Sequence, residues 1–156
     1  MTHKKAIVST DIPAETESGF PEPFASQMGS SAWRGLSDEF GLTLFGVNLE
    51  VIEPNGQSAL RHWHSNSEEF VYVLSGELQL VTNRGKQKLL QGMCVGFKAG
   101  IDDGHHLINE STLPASFIVI GSRVSDDEVF YPDDNLQWLE TESGERVAAD
   151  KLGKKY

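Results

Sequence analysis

The feature that most constrains this chain is its rhythm between Leu42 and Ser122. Short apolar segments follow one another, most of them closed by a turn that contains glycine. Phe45, Val47, Leu49 and Val51 alternate with Gly46, Asn48 and Glu50. That period of two belongs to a strand with one buried face. Pro54-Asn55-Gly56 supplies a turn. The β-branched and aromatic run Phe70-Val71-Tyr72-Val73-Leu74 ends at Ser75-Gly76, and Leu78, Leu80 and Thr82 carry the next strand. Asn83-Arg84-Gly85-Lys86 has hairpin chemistry. Leu89-Leu90, Met93 to Phe97, His106 to Asn109 and Phe117 to Ser122 complete a set of roughly seven to ten strands with no convincing helix, which predicts an all-β sandwich or barrel.

The flanks read differently. Residues 1–40 lack periodicity, and Pro13, Pro21 and Pro23 oppose a long helix there. Phe24, Trp33 and Phe40 predict an irregular arm that packs on the barrel or on a partner subunit. The barrel itself is expected over 41–125. Residues 126–156 are expected as a C-terminal extension, with a short helix or an irregular tail from Tyr131 to Tyr156. At 156 residues the chain fits one domain.

Thirteen Lys plus Arg against 23 Asp plus Glu give a net charge of −10. A field of that sign repels phosphate backbones and anionic lipid, so nucleic-acid and membrane-surface roles are disfavoured. No segment approaches the ~20 apolar residues of a membrane span, and Met1 to Asp11 has no apolar run suited to a secretory leader. A cytoplasmic location is the expectation. Cys94 is the only cysteine, so no intrachain disulfide forms; its place in Met93-Cys94-Val95 predicts a buried, inert thiol.

Four of the five histidines fall in two clusters, His62 with His64 and His105 with His106. His62 and His64 leave the same face of an extended chain. With Glu69 they form a nitrogen and oxygen donor set suited to a first-row divalent ion. His105 and His106 are adjacent, so only one of them can reach such an ion. Both stay open on strand geometry.

The spacing is more telling than the pairs. Gly56, five residues, His62, one residue, His64, four residues, Glu69, six residues, Gly76 resembles the first signature motif of the cupin superfamily. Gly92, then Lys98-Ala99-Gly100, His105, three residues, Asn109 resembles the second. It departs in having Lys98 where proline is usual, and two additional residues before the histidine. The resemblance implies a double-stranded β-helix, or jelly-roll barrel, holding one divalent metal (manganese, iron, zinc or nickel). It implies His62, His64, Glu69 and His105 as the ligands, with His105 preferred over His106 for its spacing to Asn109. It also implies a homodimer.

The stretch Tyr131-Pro132-Asp133-Asp134 resembles small bacterial cupins likened to sugar-phosphate isomerases. That likeness implies an isomerase-like enzyme acting on a small polar metabolite, with the metal polarising a carbonyl. Arg34, Arg61, Lys98 and Arg123 are then the candidate phosphate partners. Two alternatives remain: a mononuclear iron dioxygenase, and a non-catalytic binding or sensing barrel. The last would be favoured by a metal pocket filled by Trp63, Tyr72 and Phe97 with no titratable group nearby.

Overall fold

In the computed structural model, residues 5–156 are described; residues 1–4, the start of the segment read above for a leader, lie outside them. Twelve strands run through the described residues, with three single-turn 3-10 segments and no α-helix. A five-stranded sheet is built from β1 (Ser31–Gly35), β2 (Phe45–Ile52), β9 (Ala115–Ser122), β4 (Glu69–Ser75) and β7 (Cys94–Phe97), in that spatial order. A three-stranded sheet has β5 (Glu77–Thr82) between β6 (Gly85–Leu90) and β8 (His106–Ile108). Two small pairs complete the set, β3 (Trp63–His64) with β10 (Val129–Phe130) and β11 (Gln137–Glu140) with β12 (Arg146–Ala149). Every pairing is antiparallel. This is the double-stranded β-helix.

The two larger sheets share one core. Ile52, Val71, Val73, Ala115 and Phe117 from the first pack with Leu78, Leu80, Leu89 and Leu107 from the second. Each of these side chains larger than alanine contributes about 1.5–3 kcal/mol by leaving water. A second cluster joins the arm to the C-terminal extension: Phe24 and Met28 pack with Leu60, Tyr131 and Leu136. Within residues 1–40, Glu15 and Trp33 of β1 exchange backbone hydrogen bonds of 2.9 Å and Arg34 Nε donates to Ile12 O at 2.9 Å, while β1 itself pairs with β2 of the barrel.

Motif residues serve the fold directly. At Gly56 a Cβ would stand 2.7 Å from Ser30 O, so glycine there lets the arm lie against the turn. Gly76 has φ +76°, and a Cβ would meet Pro114 O and Ala115 within 2.9 Å. Asn109 is fully buried; its Nδ2 donates to Ile52 O and Leu113 O, both at 2.8 Å.

Three expectations need correction. The extension is neither helix nor irregular tail, since β11 and β12 pair over four residues each. Cys94 is exposed; it pairs with Tyr72 on the outer side of the sheet, where Phe70, Tyr72 and Leu74 are also exposed. The third concerns β2. Its polar set faces inward: Gly46, Asn48, Glu50 and Ile52 pair with Gly121, Val119, Phe117 and Ala115, and Phe117 and Ala115 belong to the core. Cross-strand partners share a face. Phe45, Val47 and Val51 therefore look outward, and the alternation marked two faces without saying which one was inside.

Candidate metal centre

Three strand ends bring the donors together. His62 precedes β3 and bridges His105 through the backbone, with His62 N–H to His105 O at 3.1 Å and His105 N–H to His62 O at 2.8 Å. His64 closes β3, and Glu69 opens β4. All three imidazoles present Nε2 to one oxygen, Glu69 Oε2, at 3.7 Å for His62, 3.6 Å for His64 and 2.8 Å for His105. The ligand atoms of His62, Glu69 and His105 also lie within 4.8 Å of one another. His64 reaches Glu69 but stands outside that mutually close triplet.

The spacing suits an ion. With ligand bonds of about 2.1 Å, neighbouring donors of a tetrahedral or octahedral ion lie roughly 3.0–3.4 Å apart. His62, Glu69, His105 and, beside them, His64 are the residues that could hold it. His106 is directed elsewhere, its Nδ1 at 2.9 Å from Ala59 O, and burial pushes its pKa down.

The outer ring nitrogens set the tautomers. His62 Nδ1–H donates to Leu60 O at 2.8 Å. His64 Nδ1–H donates to Asp127 Oδ2 at 2.6 Å. Each bond leaves the Nε2 lone pair aimed at Glu69. Asp127 Oδ1 accepts from the backbone N–H groups of Asn66 and Ser67, both at 2.9 Å. Burial works against its charge, but these donors hold its carboxyl below the usual range. His105 Nδ1 is buried with no hydrogen-bond partner; the ring lies flat on Phe97, with centroids 3.5 Å apart and planes 2° apart. Packing, not a hydrogen bond, orients it. Burial likewise opposes the charge of Glu69, yet the His105 and His62 imidazoles beside it hold its carboxyl well below the ordinary range. Burial also opposes a charge on His62, but Glu69 raises its pKa overall.

A cavity of about 270 Å³ opens beside these ligands, lined by Asn48 and Glu50 of β2, Val119 of β9 and Arg123 at the rim. Glu50 was not singled out by the sequence, because its polar stripe on β2 reads as the solvent side. Burial pushes its carboxyl up to about 7; the charge of Glu69 adds to this and a side-chain hydrogen bond with Asn48 opposes it. A second recess of about 230 Å³ touches Glu69 and His105 from the side of Lys98 and Ile101.

A model described as the cupin domain matches residues 48–121. Over 97% of its length the chain is similar to a sugar phosphate isomerase of the cupin superfamily from Silicibacter pomeroyi, at 32% identity, covering 96% of that chain with a TM-score of 0.89. The chain belongs to the cupin superfamily. This cupin is also similar to a candidate sugar phosphate isomerase from Acidithiobacillus ferrooxidans, at 30% identity over 82% of this chain and 81% of that one, with a TM-score of 0.71. The polyketide cyclase RemF from Streptomyces resistomycificus shares the fold, at 24% identity over 76% and 79% of the two chains and a TM-score of 0.62. No curated protein sequence matches. Among the described residues of the cupin, no helix is long and apolar enough to cross a membrane.

The remaining candidates fall into place around the centre. Arg61 is committed to Asp133 by two bonds of 2.6 and 2.7 Å, to Asn83 and to Gly104 O. Arg34 is committed to the arm. Arg123 lines the cavity and also binds Asp38 and Leu42 O. Of the aromatics expected to fill the pocket, Trp63 stacks on Phe130 at 4.3 Å and Tyr72 faces outward. Phe97 alone of the three lines the cavity, and Glu50 lines it too.

Proposed function

We propose that this cupin is a metal-dependent, isomerase-like enzyme acting on a small hydroxy-carbonyl compound, with a sugar phosphate as the favoured substrate class. The observation that carries the reading is the convergence of three imidazole Nε2 atoms and one ionised carboxylate at the wall of a cavity that also contains a titratable carboxyl. The donor set suits a divalent ion, with His62, His64, Glu69 and His105 as its ligands. When bound, the ion supplies Lewis acidity toward a carbonyl oxygen.

The chain's own residues do the rest. His64 and His62 are locked as Nε2 donors by Asp127 and Leu60 O. Phe97 covers the His105 ring and keeps water from that side. Arg123 is the cation on the cavity rim, and its exposed partner Asp38 can be displaced by a stronger anion such as a phosphate monoester. The similarity to the Silicibacter pomeroyi isomerase supports the same substrate class.

The test uses protein loaded in turn with manganese, ferrous iron, zinc and nickel, mixed with triose, pentose and hexose phosphates. Proton NMR follows aldose–ketose interconversion with and without air. Metal-dependent interconversion that is indifferent to oxygen is expected. Oxygen consumption confined to the ferrous protein would overturn the reading in favour of a dioxygenase. Tight binding without turnover would overturn it in favour of a non-catalytic barrel.

A further inference from the structure

The cavity holds one acidic group that the metal centre does not use. Glu50 sits on the inward face of β2, two residues from Asn48 on the same face and opposite Phe117 on β9. It is half-buried, and the inner side chains beside it are apolar or neutral: Asn48, Phe117, Val119 and, in the first core, Ile52. The titratable groups that share its surroundings are Glu69 from β4, His62 and His105 from the loops, His106 from β8, Arg123 at the rim, and Glu17 of the arm in the adjoining recess. No cation is bonded to it in the structure, whereas Glu69 is surrounded by imidazoles. The two carboxyls thus have separate tasks available: one is fixed as a donor, the other is free to exchange a proton.

We infer that Glu50 is the proton-transfer residue of this site, removing and returning the hydrogen on the carbon next to the substrate carbonyl. The inference rests on the isomerase-like reading above. In the step, the bond between C2 and its hydrogen breaks and the proton passes to the Glu50 carboxylate. The electron pair moves into the C1–C2 bond and the carbonyl π pair onto O1, giving the enediolate. The carboxyl then returns its proton to C1 while the O2 hydroxyl hydrogen passes to O1, leaving a ketose of the same composition. No oxidant or co-reactant enters. The place of Glu50 on the cavity wall, with no cation bonded to it, leaves the carboxyl able to accept this proton and return it.

The experiment compares holoprotein carrying one metal with its Glu50→Gln and Glu50→Asp variants. Metal content is measured by mass spectrometry, and turnover of fructose 6-phosphate and dihydroxyacetone phosphate in deuterated water by proton NMR. Glu50→Gln is expected to keep its metal, to hold KM within about 3-fold, and to lose kcat and deuterium incorporation by about 100-fold or more. Glu50→Asp is expected to recover part of that loss. A Glu50→Gln protein with full metal and near-wild-type exchange overturns the inference and leaves the isomerase reading standing. Should wild type turn over neither sugar, the isomerase reading fails for these sugars, and infrared difference spectra of wild type against Glu50→Gln then decide the role of Glu50. In metal-free protein a protonated carboxyl band present at pH 6 and lost by pH 8 supports a proton-exchanging Glu50, and a Glu50 carboxyl that stays protonated throughout this range overturns it.

Discussion

His64 donates its Nδ1–H to Asp127 Oδ2 at 2.6 Å, so a residue of the C-terminal extension sets the tautomer of a residue on the barrel wall. The same carboxylate gathers the N–H groups of Asn66 and Ser67 and shapes the bend that leads to Glu69. The candidate metal centre therefore depends on a segment outside both signature motifs. Asp127→Asn can offer its amide N–H to Nδ1 and favour the wrong tautomer. It is expected to weaken metal binding by 10- to 100-fold, measured by competition with a chromogenic chelator.

Removal of a ligand has a sharper outcome. His62→Ala, Glu69→Gln and His105→Ala should each abolish stoichiometric metal in protein purified without chelating resin. His106→Ala should retain it, because that ring is engaged by Ala59 O rather than by Glu69. Full metal content in His105→Ala would overturn the ligand assignment.

Glu50 gives a pH signature with a definite sign. Its carboxyl is raised from 4.5 to about 7 by burial, so the folded state holds this proton more tightly than the unfolded chain. The stability it contributes is fully present below the unfolded value and is lost as pH rises through 7. Metal-free wild type should therefore lose roughly 2 kcal/mol relative to Glu50→Gln between pH 5 and pH 8. Urea denaturation at the two pH values measures the difference.

Two glycines in the left-handed region separate backbone strain from crowding. Gly41 has φ +65° and nothing within 4 Å of a new Cβ; Gly76 has φ +76° and meets Pro114 O and Ala115 within 2.9 Å. Gly41→Ala should cost about 1 kcal/mol from strain alone. Gly76→Ala adds a clash with backbone in the barrel and should cost about 3 kcal/mol. Thermal unfolding of the two variants checks the order.

Much of this was legible in one dimension. Period-two segments between turns gave an all-β chain, and the glycine–histidine–glutamate spacing pointed to the family and to the donor types at the metal centre. Local sequence could not show the pairing of β11 with β12, since each segment is short and becomes a strand only against the other. Strand alternation left His105 and His106 open, and only the motif spacing to Asn109 favoured His105; in the fold the His62 bridge turns that ring toward Glu69.

The β2 strand states the division most clearly. The order of residues already places Asn48 and Glu50 on one face and Val47, Leu49 and Val51 on the other, because successive side chains of an extended backbone alternate. That the polar face is the inner one follows from the folded sheet, which pairs Glu50 with Phe117 and Ile52 with Ala115. Alternation is a property of the covalent chain, whereas inside and outside exist only once a second sheet closes over the first.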